Sequence, residues 1–358
     1  MSKIKNLLIF LICLLFLSNA YAADSIKFQG AVCDGVTDDT TSLQAALNAS
    51  QDIYIPINSR CVASNLVIPH DMKLTGIGDS SVLVMKSGST GILLSTGLHT
   101  VILKEFKLDG LSTTDKFLLV APESDRTALA IAPEFNSRVE KITIDGFGKK
   151  GFDLVSSGTV GTAGSHLILT DSTVTKTFNA LNIQPQAMTE YIIISDIDMN
   201  LNGKGMSIAT GNVLISDCIL KNNGVGAHVY GYQYANNGHG NISNCLINHS
   251  VYNSLWIDRV TVGFNFIGNQ IHLGTILINE STGIQIAHGT IQVGEIQFRG
   301  IGTNGGRNML WHNFMFNNAP TAPNTVIHNF QGVNDNSIVQ DNYNQTGWFP
   351  NSKGALVP

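Results

Sequence analysis

Residues 192–220, IIISDIDMNLNGKGMSIATGNVLISDCIL, contain nearly the same phrase twice. IIISDIDM (192–199) and VLISDCIL (213–220) each set a β-branched run against a polar corner holding Asp, then resume with apolar residues. The phrase recurs on both sides as ITIDGF, LILTDSTV, GNISNCLI, FNFIGNQI, IQIAHGTI, NMLWHNFM and NSIVQDNY. Anchored on Ile144, Leu169, Ile194, Ile215, Ile242, Phe266, Ile286, Leu310 and Ile338, the spacings are 25, 25, 21, 27, 24, 20, 24 and 28. A period in the twenties with variable slack describes stacked coils whose connecting loops differ in length. The repeated strands are β-branched and punctuated by Gly, so the unit is a β-coil and not a helical repeat. The stricter leucine spacing of leucine-rich repeats is absent. The chain reads as all-β, a single-stranded parallel β-helix.

Each coil adds one ladder spacing, roughly 4.8 Å, and its inward residues join columns of Ile, Val, Leu and Phe. Two further coils are expected upstream, at MKLTGIG (72–78) with SVLVMKS (81–87) and at VILKEFKLDG (101–110). Such a stack ends in unpaired strand edges, which need caps. The stretch GAVCDGVTDDTTSLQAALNAS (30–50) supplies one: a turn, then an amphipathic helix. Asp38, Asp39 or Thr40 is expected to provide the N-cap, with Leu43, Ala46 and Leu47 facing the first coil.

The first 22 residues read as a leader. Lys3 and Lys5 precede the apolar run Leu7–Leu17, and Ala20-Tyr21-Ala22 fits a small-residue cleavage site. The apolar run is too short for a stable span, and no later run approaches one. The expectation is a secreted or periplasmic protein with no membrane span after the leader is removed. Without the leader, 19 basic side chains face 26 acidic ones, a formal charge of −7, which argues against nucleic acid as a partner. Nothing in the sequence specifies an oligomeric state. Four cysteines remain: Cys33, Cys61, Cys218 and Cys245. Export permits disulfides. Cys33 and Cys61 bracket the opening motif as a candidate bond, with free buried thiols as the alternative. The same choice stands for Cys218 and Cys245, at equivalent places one coil apart.

Gly30-Ala31-Val32-Cys33-Asp34-Gly35-Val36-Thr37-Asp38-Asp39-Thr40, then Leu43-Gln44-Ala45-Ala46-Leu47 and Ile53-Tyr54-Ile55-Pro56, resembles the opening of the pectate-lyase-like superfamily. Its rhamnogalacturonase-type and epimerase-type members are right-handed parallel β-helix proteins, as are some phage tailspikes. By motif the resemblance covers about 45 residues, and beyond them only the repeat pattern. It implies a right-handed parallel β-helix that binds or acts on an acidic or decorated polysaccharide. It also implies that Asp34, Asp38 and Asp39 are turn and cap residues. The layout expected is a leader (1–22), a capping motif (23–70), the β-helix (71–345) and a tail (346–358).

About ten residues after each first strand lies another: GFDLV (151–155), ALNIQ (180–184), GMSIA (205–209), GAHVY (226–230), SLWID (254–258), TILIN (275–279) and EIQFR (295–299). Alternation turns every second residue outward. One outward column is then Asp153, Asn182, Ser207, His228, Trp256, Leu277 and Gln297. The other is Val155, Gln184, Ala209, Tyr230, Asp258, Asn279 and Arg299. Asp258, His228 and Tyr230 are the candidate catalytic groups, able to take or give a proton. Trp256, Arg299, Tyr232 and His239 are candidate substrate contacts. Rings stack on sugar faces, and Arg pairs with a uronate carboxylate. The segment GAHVYGYQYANNGHG (226–240), which holds Tyr232, Tyr234 and His239, precedes one of the longest coil steps. Long excursions form cleft walls in solenoids. A solvated polar sheet face is the alternative reading of the same residues.

Asp196, Asp217 and Gly238-His239-Gly240 are spaced 21 and 22 apart, similar to the catalytic acids and Gly-His-Gly of polygalacturonase-type hydrolases. The register argues against that match. Asp196 and Asp217 fall at the corner of the first strand, stacked with Asp171 and Asn244, and read as turn residues. No cofactor is required by this reading. Ca²⁺ on the stacked carboxylates Asp171, Asp196 and Asp217 is the one metal the residues suggest. The function classes that remain are a lyase or glycoside hydrolase acting on polysaccharide, and a non-catalytic polysaccharide-binding or tail-fibre-like β-helix.

Overall fold

The computed structural model describes residues 24–86, 88–94, 100–112, 126–131, 136–154, 167–184, 192–209, 212–231, 239–261, 263–293, 295–299, 308–315, 326–329, 338–340, 342–344, 347–348 and 352–353. The leader and its cleavage site therefore lie outside the described residues, as does Tyr232. Strands dominate, and the α-helix among the described residues is Thr40–Ala49. None of the described helices is long and apolar enough to cross a membrane.

Corresponding strands of successive coils pair in parallel. In the first sheet, Val139 pairs with Leu169, Leu169 with Ile194, Ile194 with Ile215, Ile215 with Ile242, Ile242 with Phe266, Phe266 with Ile286 and Ile286 with Leu310. The sequence anchors slip at both ends. Ile144 belongs to the second half of its strand and faces Val174, so the coil before Leu169 runs back to Val139. Leu310 pairs with Val339, leaving Ile338 beside Met309. Ile144 lies on the far side of the corner and Ile338 is one residue off within its own strand, because periodicity alone fixes neither the side of a corner nor the exact register.

The corner itself is a single residue in the left-handed region. Glu105, Lys141, Asp171, Asp196, Asp217, Asn244, His288 and His312 all have φ between 51° and 58°, and Gly268 has φ 69°. Asp171, Asp196 and Asp217 are thus turn residues, consistent with Asx tolerance of that conformation. Behind this corner, buried side chains satisfy the backbone. Asn269 Oδ1 accepts from Cys245 N at 2.9 Å, and its Nδ2 donates to Ile242 O at 2.8 Å. At the next corner, Asn202 Oδ1 accepts from Thr177 N at 3.0 Å, and Asn202 N donates to Asn223 Oδ1 at 2.9 Å. These stacked amides give the corners the partners that burial demands.

The opposite sheet has eleven described strands, from Leu66–Ile68 to Val326–Asn329. Its inward column runs Leu181, Met206, Ala227, Leu255, Ile276 and Ile296. Parallel crossovers of this kind are right-handed almost without exception.

Parallel pairing begins inside the segment read as a cap, since Asp24 already pairs with Ile53 and Ile53 with Leu74. The helix closes this end, burying Leu43, Ala46 and Leu47. Asp39 stands at the N-cap but makes no side-chain cap bond. Its buried carboxylate instead accepts from Val32 N at 2.7 Å and Cys33 N at 3.0 Å. The cap bond comes from Asp38, whose Oδ1 accepts from Thr40 N at 3.1 Å. Asp34 accepts from Val36 N and Thr37 N at 2.8 and 2.7 Å. At the other end the segment read as a tail turns back. Trp348 pairs antiparallel with Tyr343, and Lys353 with Ile338.

Cys33 and Cys61 are joined by a disulfide across 28 residues, while Cys218 and Cys245 are free and buried. Cys218 N donates to Cys245 Sγ at 3.3 Å. Closing a loop of that size stabilises by about 3 kcal/mol through the unfolded chain. Alkylation of unfolded but unreduced protein is expected to label Cys218 and Cys245 and spare the other pair. Labelling of Cys33 and Cys61 would contradict the bond.

Candidate functional site

The outward columns of the second sheet have the register that alternation gives. Asp153 pairs with Asn182, Asn182 with Ser207, Ser207 with His228, His228 with Trp256, Trp256 with Leu277 and Leu277 with Gln297. Beside it, Tyr230 pairs with Asp258, Asp258 with Asn279 and Asn279 with Arg299. Outward does not mean exposed here. Asp153, Asn182, Ser207, His228 and Asp258 are all buried, and Tyr230 and Trp256 are half-buried.

The centre of this face is an aromatic stack with a cation on it. The His228 ring lies 4.2 Å from Trp256 and 4.8 Å from Tyr230, at interplanar angles of 20° and 25°. Lys204 Nζ donates to His228 Nδ1 at 3.0 Å and sits 5.4 Å from the Trp256 ring centroid. Lys204 has no carboxylate within ion-pair distance among the described residues. Burial depresses its ammonium below the usual lysine range. Lys150, two rungs earlier in the same column, is neutralised by Asp153 at 2.7 Å.

Alternation did not find Lys204. Its strand opens with two successive inward residues, Gly205 and Met206. A Cβ on Gly205 would sit 2.6 Å from Gly226 O and 2.9 Å from Leu220 Cδ2, so only glycine fits. This break in the pleat puts Lys204 on the same outer face as His228. The Gly before an apolar residue at a strand start, repeated at Gly151, Gly205 and Gly226, is the signal that would have shown it.

The surroundings of His228 set its basicity. Burial first, then the cations of Lys204 and Arg259, push its imidazole down to about 3. With Nδ1 accepting from Lys204, the neutral ring carries its proton on Nε2, which is buried and has no partner among the described residues. A ring this weakly basic is a poor proton acceptor at neutral pH, and its neighbours make His228 part of the aromatic stack. A pH consequence follows. The unfolded imidazole takes up a proton near 6.5, and the folded one only near 3. Stability should therefore fall as pH drops through that window, by up to about 1.4 kcal/mol per pH unit. His228→Gln, which keeps an acceptor for Lys204, is expected to flatten the urea midpoint between pH 6.5 and 4. An unchanged acid slope would contradict this.

Asp258 is held from two sides. Its Oδ2 accepts from Arg259 Nε and Nη2 at 3.2 and 3.1 Å, and its Oδ1 from Asn279 Nδ2 at 2.7 Å. Tyr230 is the adjacent residue on the preceding rung, and Arg299 lies two rungs further on, exposed. The remaining substrate candidate, His239, is not part of this face. It opens a first-sheet strand beside Asn212. There it lines a shallow apolar depression of about 220 Å³ with Ile193, Asn212, Val213, Leu214 and Gly240. His239 directly precedes GNISNCLI, a first-sheet copy of the repeat, so its place on that sheet follows from the spacing.

No family model matches the chain. The pre-neck appendage protein of Bacillus phage phi29 is 30% identical over 94 residues, covering 24% of this chain and 11% of that protein. Depolymerase 1, capsule K30/K69-specific, of Klebsiella phage K5-2 is 36% identical over 80 residues, 21% of this chain and 10% of that protein. The match thus spans about a tenth of the length of these relatives. Among solved structures, the A-module of the mannuronan C-5 epimerase AlgE4 of Azotobacter vinelandii superposes with a TM-score of 0.63 at 15% identity, covering 89% of this chain and 95% of the module. At that identity the likeness is one of fold: the chain is a right-handed parallel β-helix like its structural neighbours.

Proposed function

We propose that this chain binds an acidic polysaccharide along the outward face of strands Lys204–Ile208, Val225–Tyr230, Asn253–Asp258 and Thr275–Asn279, and cleaves it there by β-elimination. The observation that carries the reading is the Lys204 ammonium, half-buried against Trp256 and His228 with no carboxylate within ion-pair distance among the described residues. A buried cation without a counter-ion is costly, and a uronate carboxylate would relieve that cost. Trp256 offers the stacking plane for the sugar ring. The comparisons support a carbohydrate role: one relative is named as a capsule-specific depolymerase, and one structural neighbour as a mannuronan epimerase.

Elimination needs a cation to offset the uronate charge, a base for the proton beside the carboxylate and a proton for the departing oxygen. Lys204 supplies the first. Asp258 takes the carbon-bound proton as the carbon–oxygen bond breaks and the ring double bond forms. Tyr230, on the neighbouring rung, gives its proton to the leaving oxygen. Arg259 and Asn279 both hydrogen-bond the Asp258 carboxylate and so fix its position. Hydrolysis would need a second carboxylate about 5–9.5 Å away. Asp153, in the outward column, is four rungs off, roughly 19 Å, while the exposed Glu280 follows Asn279, the partner of Asp258 on the next rung, and is the acid that a hydrolytic reading would use. Export, anticipated from the leader, would bring the chain to such a substrate.

A panel of acidic and neutral polysaccharides, assayed for unsaturated uronate absorbance and for new reducing ends, tests the proposal. Both signals from an acidic polymer support elimination. Reducing ends without unsaturation would mean hydrolysis. One observation favours a second reading, binding without cleavage: both Asp258 oxygens are already engaged. Binding with neither signal would establish it.

A further inference from the structure

Three aromatic side chains meet on the C-terminal coils, at the first sheet and not at the second, which carries the proposed glycan face. His288 and His312 occupy the same left-handed corner on consecutive coils, with φ of 56° and 52°. Each follows directly on a first-sheet strand, Ile284–Ala287 and Met309–Trp311. Both are exposed. Their ring centroids are 5.2 Å apart, tilted by 54°. Trp311 touches both, at 4.8 Å from His288 and 4.5 Å from His312. Its indole Nε1 is buried with no hydrogen-bond partner among the described residues.

We propose that His288 and His312 form a two-imidazole site for a borderline divalent transition cation, Cu²⁺, Ni²⁺ or Zn²⁺. With metal–nitrogen bonds of about 2.0–2.1 Å and near-tetrahedral angles, two ligated imidazoles hold their centroids roughly 5 Å apart, the separation seen here. Imidazole suits these metals, whereas Ca²⁺ takes oxygen ligands. The two ligands come from different coils, so a bound ion ties one coil to the next and stabilises that end of the stack by mass action. The corner position fixes both backbones. The left-handed corner does not demand histidine, since Asn244 fills it two coils before His288. That equivalence provides a substitution the turn will accept.

The experiment uses the full chain freed of any affinity tag and titrated with Cu²⁺ or Ni²⁺ alone. Because Trp311 touches both imidazoles, the ion should quench its fluorescence as it binds, with one ion per chain, and raise the unfolding temperature. His288→Asn and His312→Asn are each expected to weaken binding at least about tenfold, as loss of even an outer-shell partner of a ligand costs about 10–100-fold. Trp311→Phe should abolish most of the quenching and keep the shift in unfolding temperature. Binding of equal strength in the double His288→Asn, His312→Asn variant would overturn the proposal and place the ion on other histidines. So would the absence of any saturable quenching in the parent protein.

Discussion

Asp258→Asn is expected to lower turnover of an acidic polysaccharide by about 10²–10⁴-fold, the usual contribution of a positioned acid or base. The substitution is isosteric and leaves an oxygen to accept from Asn279, the 2.7 Å bond of the parent. Affinity for the polymer should be nearly unchanged, because the proposed binding contacts are Lys204 and Trp256. Far-ultraviolet circular dichroism should stay that of a strand protein. The informative pattern is a loss of kcat with binding retained. Unchanged turnover would reduce Asp258 to a partner that positions Arg259, and the base would have to be sought elsewhere. Tyr230→Phe is the companion variant, since it removes the proton donor and keeps the ring that stacks on His228 at 4.8 Å.

The largest effect on stability is expected from Asn202→Ala. Asn202 is fully buried at the corner between the sheets. Its Oδ1 accepts from Thr177 N and Thr177 Oγ1, both at 3.0 Å, and its Nδ2 donates to Val174 O at 3.0 Å. Alanine leaves an N–H, a hydroxyl and a carbonyl buried without partners. At about 1–3 kcal/mol for each unsatisfied group, partly relieved by relaxation, the loss should be about 3–5 kcal/mol. The urea midpoint measures it. A loss below about 1 kcal/mol would mean that water replaces the amide and that the stacked asparagines contribute little.

The architecture was legible because a β-coil writes its register into the sequence. Inward Ile, Val and Leu at every second position fixed which residues of GAHVY and SLWID turn outward, and His228 does pair with Trp256 and Tyr230 with Asp258. The capping helix was legible through Leu43, Ala46 and Leu47, all buried. Legibility failed where alternation breaks. Gly205 makes two inward residues in succession and hides Lys204 from a strict alternation rule. The low basicity of His228 depends on burial and on Lys204 and Arg259, both brought up by strand stacking that residue types alone do not show. The corner residues were half legible. Asp171, Asp196, Asp217 and Asn244 suit a left-handed turn, while Glu105 and Lys141 adopt it with no such signal.

If Lys204 and Trp256 form the proposed contact for an acidic sugar, equilibrium binding will register the loss of either. Affinity for an acidic polysaccharide that the parent protein binds should be measured for the parent, Lys204→Ala and Trp256→Ala, at low and moderate salt. Each variant is predicted to bind at least about tenfold more weakly, roughly 1.4 kcal/mol. The parent affinity should fall with salt, and the Lys204→Ala affinity should fall less, because one charge contact is gone. Affinities equal to the parent's in both variants would contradict the account and move the site off this face.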